Sequence, residues 1–105
     1  MSPEKKKVFS LIGIATKSRH VVSGEFSTEK AVKERKAALV IVAEDASDNT
    51  KKLFTNMCTY YKVPISFFGE KGELGHAMGK EFRASLAVLD KGLADAIEKQ
   101  LKMIQ

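Results

Sequence analysis

Cysteine and proline are scarce in this chain of 105 residues, which contains one cysteine, Cys58, and two prolines. A single cysteine excludes an internal disulfide framework and a cysteine-rich zinc site. No run of 18 apolar residues occurs, so a transmembrane helix is not expected. Residues 8–16 form a short apolar run after a basic start, but no small-x-small cleavage site stands before Lys17. A cytoplasmic protein without a membrane partner is therefore expected.

Groups that could carry out catalysis are also few. The two histidines, His20 and His76, lack the spacing of metal ligands. Cys58 falls in an apolar helical stripe, which is typical of a buried small hydrophobe rather than a reactive thiol. Neither GxxxxGK[ST] nor a strand-linked GxGxxG occurs. We expect no enzyme activity, no metal and no other cofactor.

One acidic pair, Glu44-Asp45, follows a predicted buried strand, where ligands of α/β sheets commonly bind. A phosphorelay receiver would also need an aspartate at the end of the next strand, where Phe68 is followed by Gly69-Glu70. The pair therefore favours capping of the following helix, whose N-terminus attracts negative charge.

The net charge of +5 comes from 18 Lys and Arg against 13 Asp and Glu, and it is unevenly distributed. Residues 1–36 contain nine of the cations and four of the carboxylates, whereas the rest of the chain is balanced. A basic first third suggests a surface that faces a polyanion such as RNA. A solvated surface with a basic excess remains the alternative.

Periodicity and capping residues predict alternating helices and strands. Ser2, Ser23 and Asp90 are predicted N-caps, and Ser47 and Asp48 are the two candidates for the N-cap of the third helix. The predicted helices cover residues 3–16, 24–35, 48–61, 70–78 and a last segment after Asp90, and the predicted strands cover 20–22, 38–43, 64–68 and 85–89. Such alternation favours an α/β fold, a three-layer α-β-α sandwich with a central mixed sheet of about four strands, formed by residues 1–105 as one domain.

Three details of packing follow from the same pattern. Phe26, Ala31 and Val32 are the predicted packing positions of the second helix, with its lysines exposed. The last helix has an apolar stripe of Leu93, Ile97, Leu101 and Ile104. Glycines 72 and 75 are expected to allow close packing of the short fourth helix.

Two blocks of sequence resemble a known family. Residues 38–47 read ALVIVAEDAS and residues 73–80 read ELGHAMGK. With the matching segments 30–32, 49–52, 60–64 and 87–92, they resemble the kink-turn-binding ribosomal proteins of the L7Ae/L30e/S12e/Gadd45 superfamily. Within it the chain is similar to the short bacterial YlxQ-like members, from about Leu11 to Ile97.

The resemblance implies an L30e-like fold that recognises kinked RNA. In the family a Gly-x-Asn-Glu-x-x-Lys segment opens the second helix and reads sheared G·A pairs, and a loop after the ELGxAxG helix covers a flipped-out nucleotide. Gly24 matches the glycine and Lys30 the lysine, whereas Phe26 and Ser27 stand at the Asn and Glu positions. The candidate RNA-binding residues are Lys17, Arg19, Ser23, Gly24, Phe26, Ser27, Lys30, Lys33, His76, Phe82 and Arg83.

The resemblance implies two partners: a structured RNA of the kink-turn type, such as ribosomal RNA, and the ribosome itself. We expect no DNA partner and a monomer when the protein is free. Phe26 cannot hydrogen-bond through its side chain, and Ser27 has a single short hydroxyl. Backbone and phosphate contacts can persist without them. The alternative is therefore a protein-interaction module on the same fold that binds RNA weakly by charge.

The second loop leaves two interpretations of Phe82 open. It can stack on an unpaired base, with Arg83 contacting phosphate, or it can be a core residue at the entrance of the following strand.

Overall fold

The computed structural model describes residues 1–104 and contains five helices and four strands within them. The helices are α1 (Pro3–Lys17), α2 (Glu25–Lys33), α3 (Asp48–Tyr61), α4 (Lys71–Ala77) and α5 (Lys91–Ile104). The strands are β1 (Val21–Ser23), β2 (Leu39–Val42), β3 (Ile65–Phe67) and β4 (Ser85–Val88). All predicted elements are confirmed, with the bounds of these elements displaced by at most two residues.

The four strands form one mixed sheet in the order β1-β4-β2-β3. β4 is antiparallel to both β1 and β2, whereas β2 and β3 are parallel. β1, β2 and β3 therefore all run in the same direction, and β4 alone runs against them.

Helices cover both faces of the sheet. α1 packs against α5 and α4 on one face, while α2 and α3 pack against each other and against β4 and β2 on the other. Every residue of β2 and β4 is buried, as expected of central strands whose two faces are covered. The predicted α-β-α sandwich with a four-stranded mixed sheet is confirmed.

Local capping explains where the helices begin. The Ser47 hydroxyl accepts a hydrogen bond from the backbone N–H of Thr50 (3.1 Å), and Ser2 caps α1 in the same way. The Asp90 carboxylate accepts from the N–H of Leu93 (2.8 Å) at the start of α5. Each cap satisfies a helical donor that would otherwise lack a partner.

Two predicted caps are wrong. Ser23 is the last residue of β1, and Gly24 stands at the N-cap of α2 without a side-chain hydrogen bond. Asp45 caps α4 rather than the following helix α3, because its Oδ1 accepts from the backbone N–H of Lys71 (2.9 Å). β2 and β3 are parallel neighbours, so the loops after both strands meet at one edge of the sheet.

Two packing predictions are also wrong. Phe26 is 79% exposed, and its place on the buried side of α2 is taken by Thr28, which is fully buried beside Ala31 and Val32. Ile104 is exposed at the end of α5, one turn beyond Leu101, the last buried residue of that stripe.

Candidate RNA interface

The turn between β1 and α2 depends on Gly24. This residue has φ 90° and ψ 159°, a backbone conformation open to glycine and strained for other residues. Its N–H donates to the carbonyl of Ser85 (3.0 Å), the first residue of β4. The start of α2 is thereby fixed beside the start of β4, and the first backbone N–H groups of α2 have no acceptor within the helix.

Arg83 joins the loop between α4 and β4 to the start of α2. Its Nε donates to the Ser23 hydroxyl (3.1 Å), and its Nη1 donates to the Phe82 carbonyl (2.8 Å). Ser23 and Arg83 lie 60 positions apart in the chain, so only the fold brings them together. The structure thus places the two candidate RNA-binding segments, the start of α2 and the α4–β4 loop, side by side. Arg83 connects these segments through its hydrogen bond to Ser23.

Both candidate aromatic residues point into solvent. Phe26 is 79% exposed and Phe82 is 69% exposed. A methyl group placed on Gly72 would lie 3.5 Å from the Phe82 ring, so this ring rests over the first turn of α4. The interpretation of Phe82 as a core residue is therefore wrong. Exposed aromatic rings beside the exposed lysines of α2 offer faces on which unpaired bases can stack.

The two lysines of α2 differ in their surroundings. The Lys33 ammonium donates to the Glu29 carboxylate (2.8 Å), and this hydrogen bond raises the pKa of Lys33. Lys30 is exposed and has no carboxylate within 4.0 Å among residues 1–104. Lys30 is therefore the more available cation for phosphate. Ser27 lies between Gly24 and these two lysines in the chain, and it is half-buried.

Lys17 and Arg19 lie away from this surface. Lys17 is the last residue of α1, and Arg19 lies in the turn that leads to the N-terminal end of β1. Gly24 instead follows the C-terminal end of β1. The intervening chain spans on the order of 10–15 Å. Lys17 instead lines an open groove of about 840 Å³ between α1 and α4, together with the exposed His76.

A second cluster of basic and aromatic residues has no signal in the local sequence. The Arg35 guanidinium lies 5.5 Å from the centroid of the Tyr61 ring, which in turn packs edge-on against Tyr60 (4.9 Å between centroids). Arg35 and the tyrosines are about 25 residues apart, and no local motif connects them.

In residues 1–104, no three His, Cys, Asp or Glu side chains are grouped so that they could hold a metal ion. None of the helices in that range has the length and apolar character needed to cross a membrane.

Comparison with known proteins connects this geometry to a family. Residues 6–98 match the sequence pattern of the family described as "Ribosomal protein L7Ae/L30e/S12e/Gadd45 family". The chain is 44% identical over 89 residues to RNA-binding protein YlxQ of Bacillus subtilis, covering 85% of this chain and 89% of that protein. It is 34% identical over 111 aligned positions to large ribosomal subunit protein eL30 of Neurospora crassa, covering 95% and 98%.

A solved structure shows the same fold. The 15.5kD RNA binding protein of Giardia lamblia superimposes with a TM-score of 0.80 at 21% identity, covering 99% of this chain and 89% of that one.

Proposed function

This chain belongs to the ribosomal protein L7Ae/L30e/S12e/Gadd45 family, and from that premise we propose that it is a non-enzymatic protein that binds kink-turn-like RNA. The RNA lies on a surface, the α2 site, formed by Ser23, Gly24, Phe26, Ser27 and Lys30 of the β1–α2 segment with Phe82 and Arg83 of the α4–β4 loop; His76 lies in the groove between α1 and α4. The printed names of two relatives support RNA as the ligand. The domain is the whole of residues 1–105.

One observation carries the proposal: the Arg83–Ser23 hydrogen bond holds the α4–β4 loop against the start of α2. RNA that binds there meets backbone N–H donors at the helix start, two exposed phenylalanine rings and the Lys30 ammonium. Backbone donors and Lys30 attract phosphate, and the rings take bases that the kink has unstacked. Each type of contact suits a bent RNA with extruded bases better than a regular duplex.

Recognition at this site relies on shape and stacking. Phe26 and Ser27 stand where the resemblance places an asparagine and a glutamate, and their side chains offer one hydroxyl for hydrogen bonds to base edges. The 79% exposure of Phe26 leaves its ring available to a base. The same exposure favours the alternative function, a protein-interaction module in which Phe26 contacts an apolar partner and RNA binds only by charge.

Binding measured against two RNAs decides between these functions. A kink-turn RNA and a plain duplex of equal length are titrated at several salt concentrations. We expect a clear preference for the kink-turn and, for Lys30→Ala, weaker binding with a salt slope lower by about 1. Lys99→Ala, which removes an equally exposed lysine from α5, is the matched control. Equal, steeply salt-dependent affinity for both RNAs would favour the interaction module.

A second test probes the register of the site. The double substitution Phe26→Asn and Ser27→Glu supplies an amide and a carboxylate for base edges. We expect the preference for kink-turn over duplex to increase. An unchanged ratio would show that these two positions do not face the base pairs.

The cellular setting is part of the proposal. A cytoplasmic protein that is monomeric when free and associates with ribosomes should co-sediment with ribosomal subunits through a sucrose gradient. Recovery only in the top fractions at low salt would contradict ribosome association and leave RNA binding to be judged by the titration.

A further inference from the structure

The strand directions gather three helix ends at one end of the molecule. β1, β2 and β3 run the same way, and α1, α2 and α3 directly precede them in the chain. Each of these helices therefore ends near the N-terminal end of its strand. We call this region, formed by residues 17–20, 33–36, 60–62 and 90–91, the cationic end. Apart from Lys30, which lies in the last turn of α2, the β1–α2 residues of the α2 site lie at the opposite end of β1 and α2.

Cations outnumber carboxylates at the cationic end. Of the protein's 18 Lys and Arg residues, seven occur there, and of its 13 Asp and Glu residues, two do. The cations are Lys17, Arg19, Lys33, Arg35, Lys36, Lys62 and Lys91, and the carboxylates are Glu34 and Asp90. Glu34 pairs with Lys36 (3.3 Å), and Asp90 caps α5. Lys33 pairs with Glu29 and Lys91 with Asp95 (2.8 Å each), both carboxylates lying just outside these ranges. Lys17, Arg19, Arg35 and Lys62 have no carboxylate within 4.0 Å among residues 1–104.

Backbone conformation at this end also singles out cations. Arg19, Arg35 and Lys62 have φ of 63°, 59° and 60° and are the non-glycine residues with positive φ in residues 1–104. Each follows the last turn of one of the three helices. Glycine or asparagine fits this left-handed position with less strain. All three positions nevertheless carry a long basic side chain.

Aromatic rings accompany these cations. Tyr60 is 77% exposed and packs edge-on against Tyr61, over whose ring the Arg35 guanidinium lies. Lys62 follows directly in the chain. Cations beside an exposed aromatic face match the chemistry of single-stranded RNA, whose phosphates need positive charge and whose bases need a surface to stack on.

We propose that the cationic end is a second RNA-binding surface, on which Tyr60 stacks with an unpaired base while Arg35 and Lys62 hold the adjoining phosphates. The inference rests on the proposed function for the class of ligand. α2 spans about 14 Å between the two surfaces, and its exposed Lys30 lies on the way. A single-stranded flank of an RNA seated at the α2 site can therefore continue onto Tyr60.

Oligouridine of 20 nucleotides is the probe, because it presents unpaired bases and has no kink. The double substitution Arg35→Gln and Lys62→Gln should lower its salt slope by about 1.4, the value for two phosphate contacts on a single strand. Lys99→Gln with Lys102→Gln removes the same charge from exposed positions of α5 and should leave the slope nearly unchanged. Tyr60→Leu should weaken binding about fivefold or more.

The opposing explanation is that these cations only stabilise the helix ends, whose carbonyls attract positive charge. In that case the double variant would melt at a lower temperature but bind oligouridine no more weakly than the α5 control, and the proposal would be overturned. Loss of the Tyr60→Leu effect, or absence of oligouridine binding at low salt, would overturn it as well. If the oligouridine test fails while the protein still prefers kink-turn RNA to a duplex, only the second surface is refuted. If the unaltered protein shows no such preference, the result counts against the α2 site instead.

Discussion

Gly75 lies in α4 beneath the loop that carries Phe82 and Arg83, and its replacement by alanine should damage both the fold and the loop. A Cβ atom at this position would overlap the backbone carbonyl oxygen of Glu81 and lie 2.5 Å from its carbonyl carbon. The Gly75 carbonyl also accepts a hydrogen bond from the N–H of Lys80 (2.7 Å), which holds the loop closely over the helix. Because the obstructing atoms belong to backbone, no side-chain rotation relieves the clash.

The expected loss can be estimated from two opposing effects. Alanine stabilises a helix interior by about 1 kcal/mol relative to glycine, whereas overpacking costs about 1–3 kcal/mol and occasionally more. A backbone clash belongs at the upper end, so the net loss for Gly75→Ala should be about 2 kcal/mol. Gly72→Ala is the matched control in the same helix, because its Cβ would meet the Phe82 ring at an ordinary 3.5 Å. It should gain up to about 1 kcal/mol.

Urea denaturation followed by circular dichroism measures both variants. Gly75→Ala should unfold at a clearly lower midpoint than the unaltered protein, and Gly72→Ala at an equal or higher one. Displacement of the loop should also weaken kink-turn RNA binding by Gly75→Ala, since Arg83 then loses its contact with Ser23. A Gly75→Ala protein as stable as Gly72→Ala would refute the close approach of Glu81 to α4.

Three further predictions concern exposure, capping and pH. Phe26→Ser should change the unfolding free energy by less than about 0.5 kcal/mol, because the Phe26 ring is in solvent. Phe54→Ala should lower it by about 3–5 kcal/mol, because the Phe54 ring is fully buried. Equal losses of stability in urea denaturation would contradict the exposure of Phe26. Asp45→Ala should cost about 1 kcal/mol through loss of the cap on the Lys71 N–H, and an unchanged thermal midpoint would argue against that cap. Burial raises the pKa of the Cys58 thiol from 9.0 to about 11. The folded state therefore keeps a proton that the unfolded state releases, so stability falls as pH rises from 9 towards 11, by up to about 2–3 kcal/mol. Cys58→Ala should show a smaller fall across the same range, and an identical pH profile would refute the contribution of the thiol.

Local patterns explain why the elements could be predicted from the sequence. The β-branched run of residues 38–43 indicated a central strand because a strand covered on both faces needs apolar residues at every position. Ser47 and Asp90 marked helix starts because their side chains bond to N–H groups only three residues away. The alternation of these elements then favoured the sandwich.

Local patterns predicted burial of Phe26, because an apolar residue in a helix is usually buried and nothing nearby in the chain shows otherwise. They also predicted that Asp45 caps α3, the helix that follows it in sequence. The partner it actually caps, Lys71, is 26 residues away and becomes a neighbour only through the pairing of β2 with β3.

By itself the sequence determined the order of helices and strands, the caps made within one turn, and the match of residues 38–47 and 73–80 to an RNA-binding family. Only the tertiary structure decided which of the cations lie at the same end of the molecule. Lys17 and Arg19 precede Gly24 closely in the chain, yet β1 separates them from it, and they lie at the end of the sheet where the segments with Arg35 and Lys62 also enter their strands. Periodicity reports which residues face the same way within one element, whereas strand order and direction determine which elements end together.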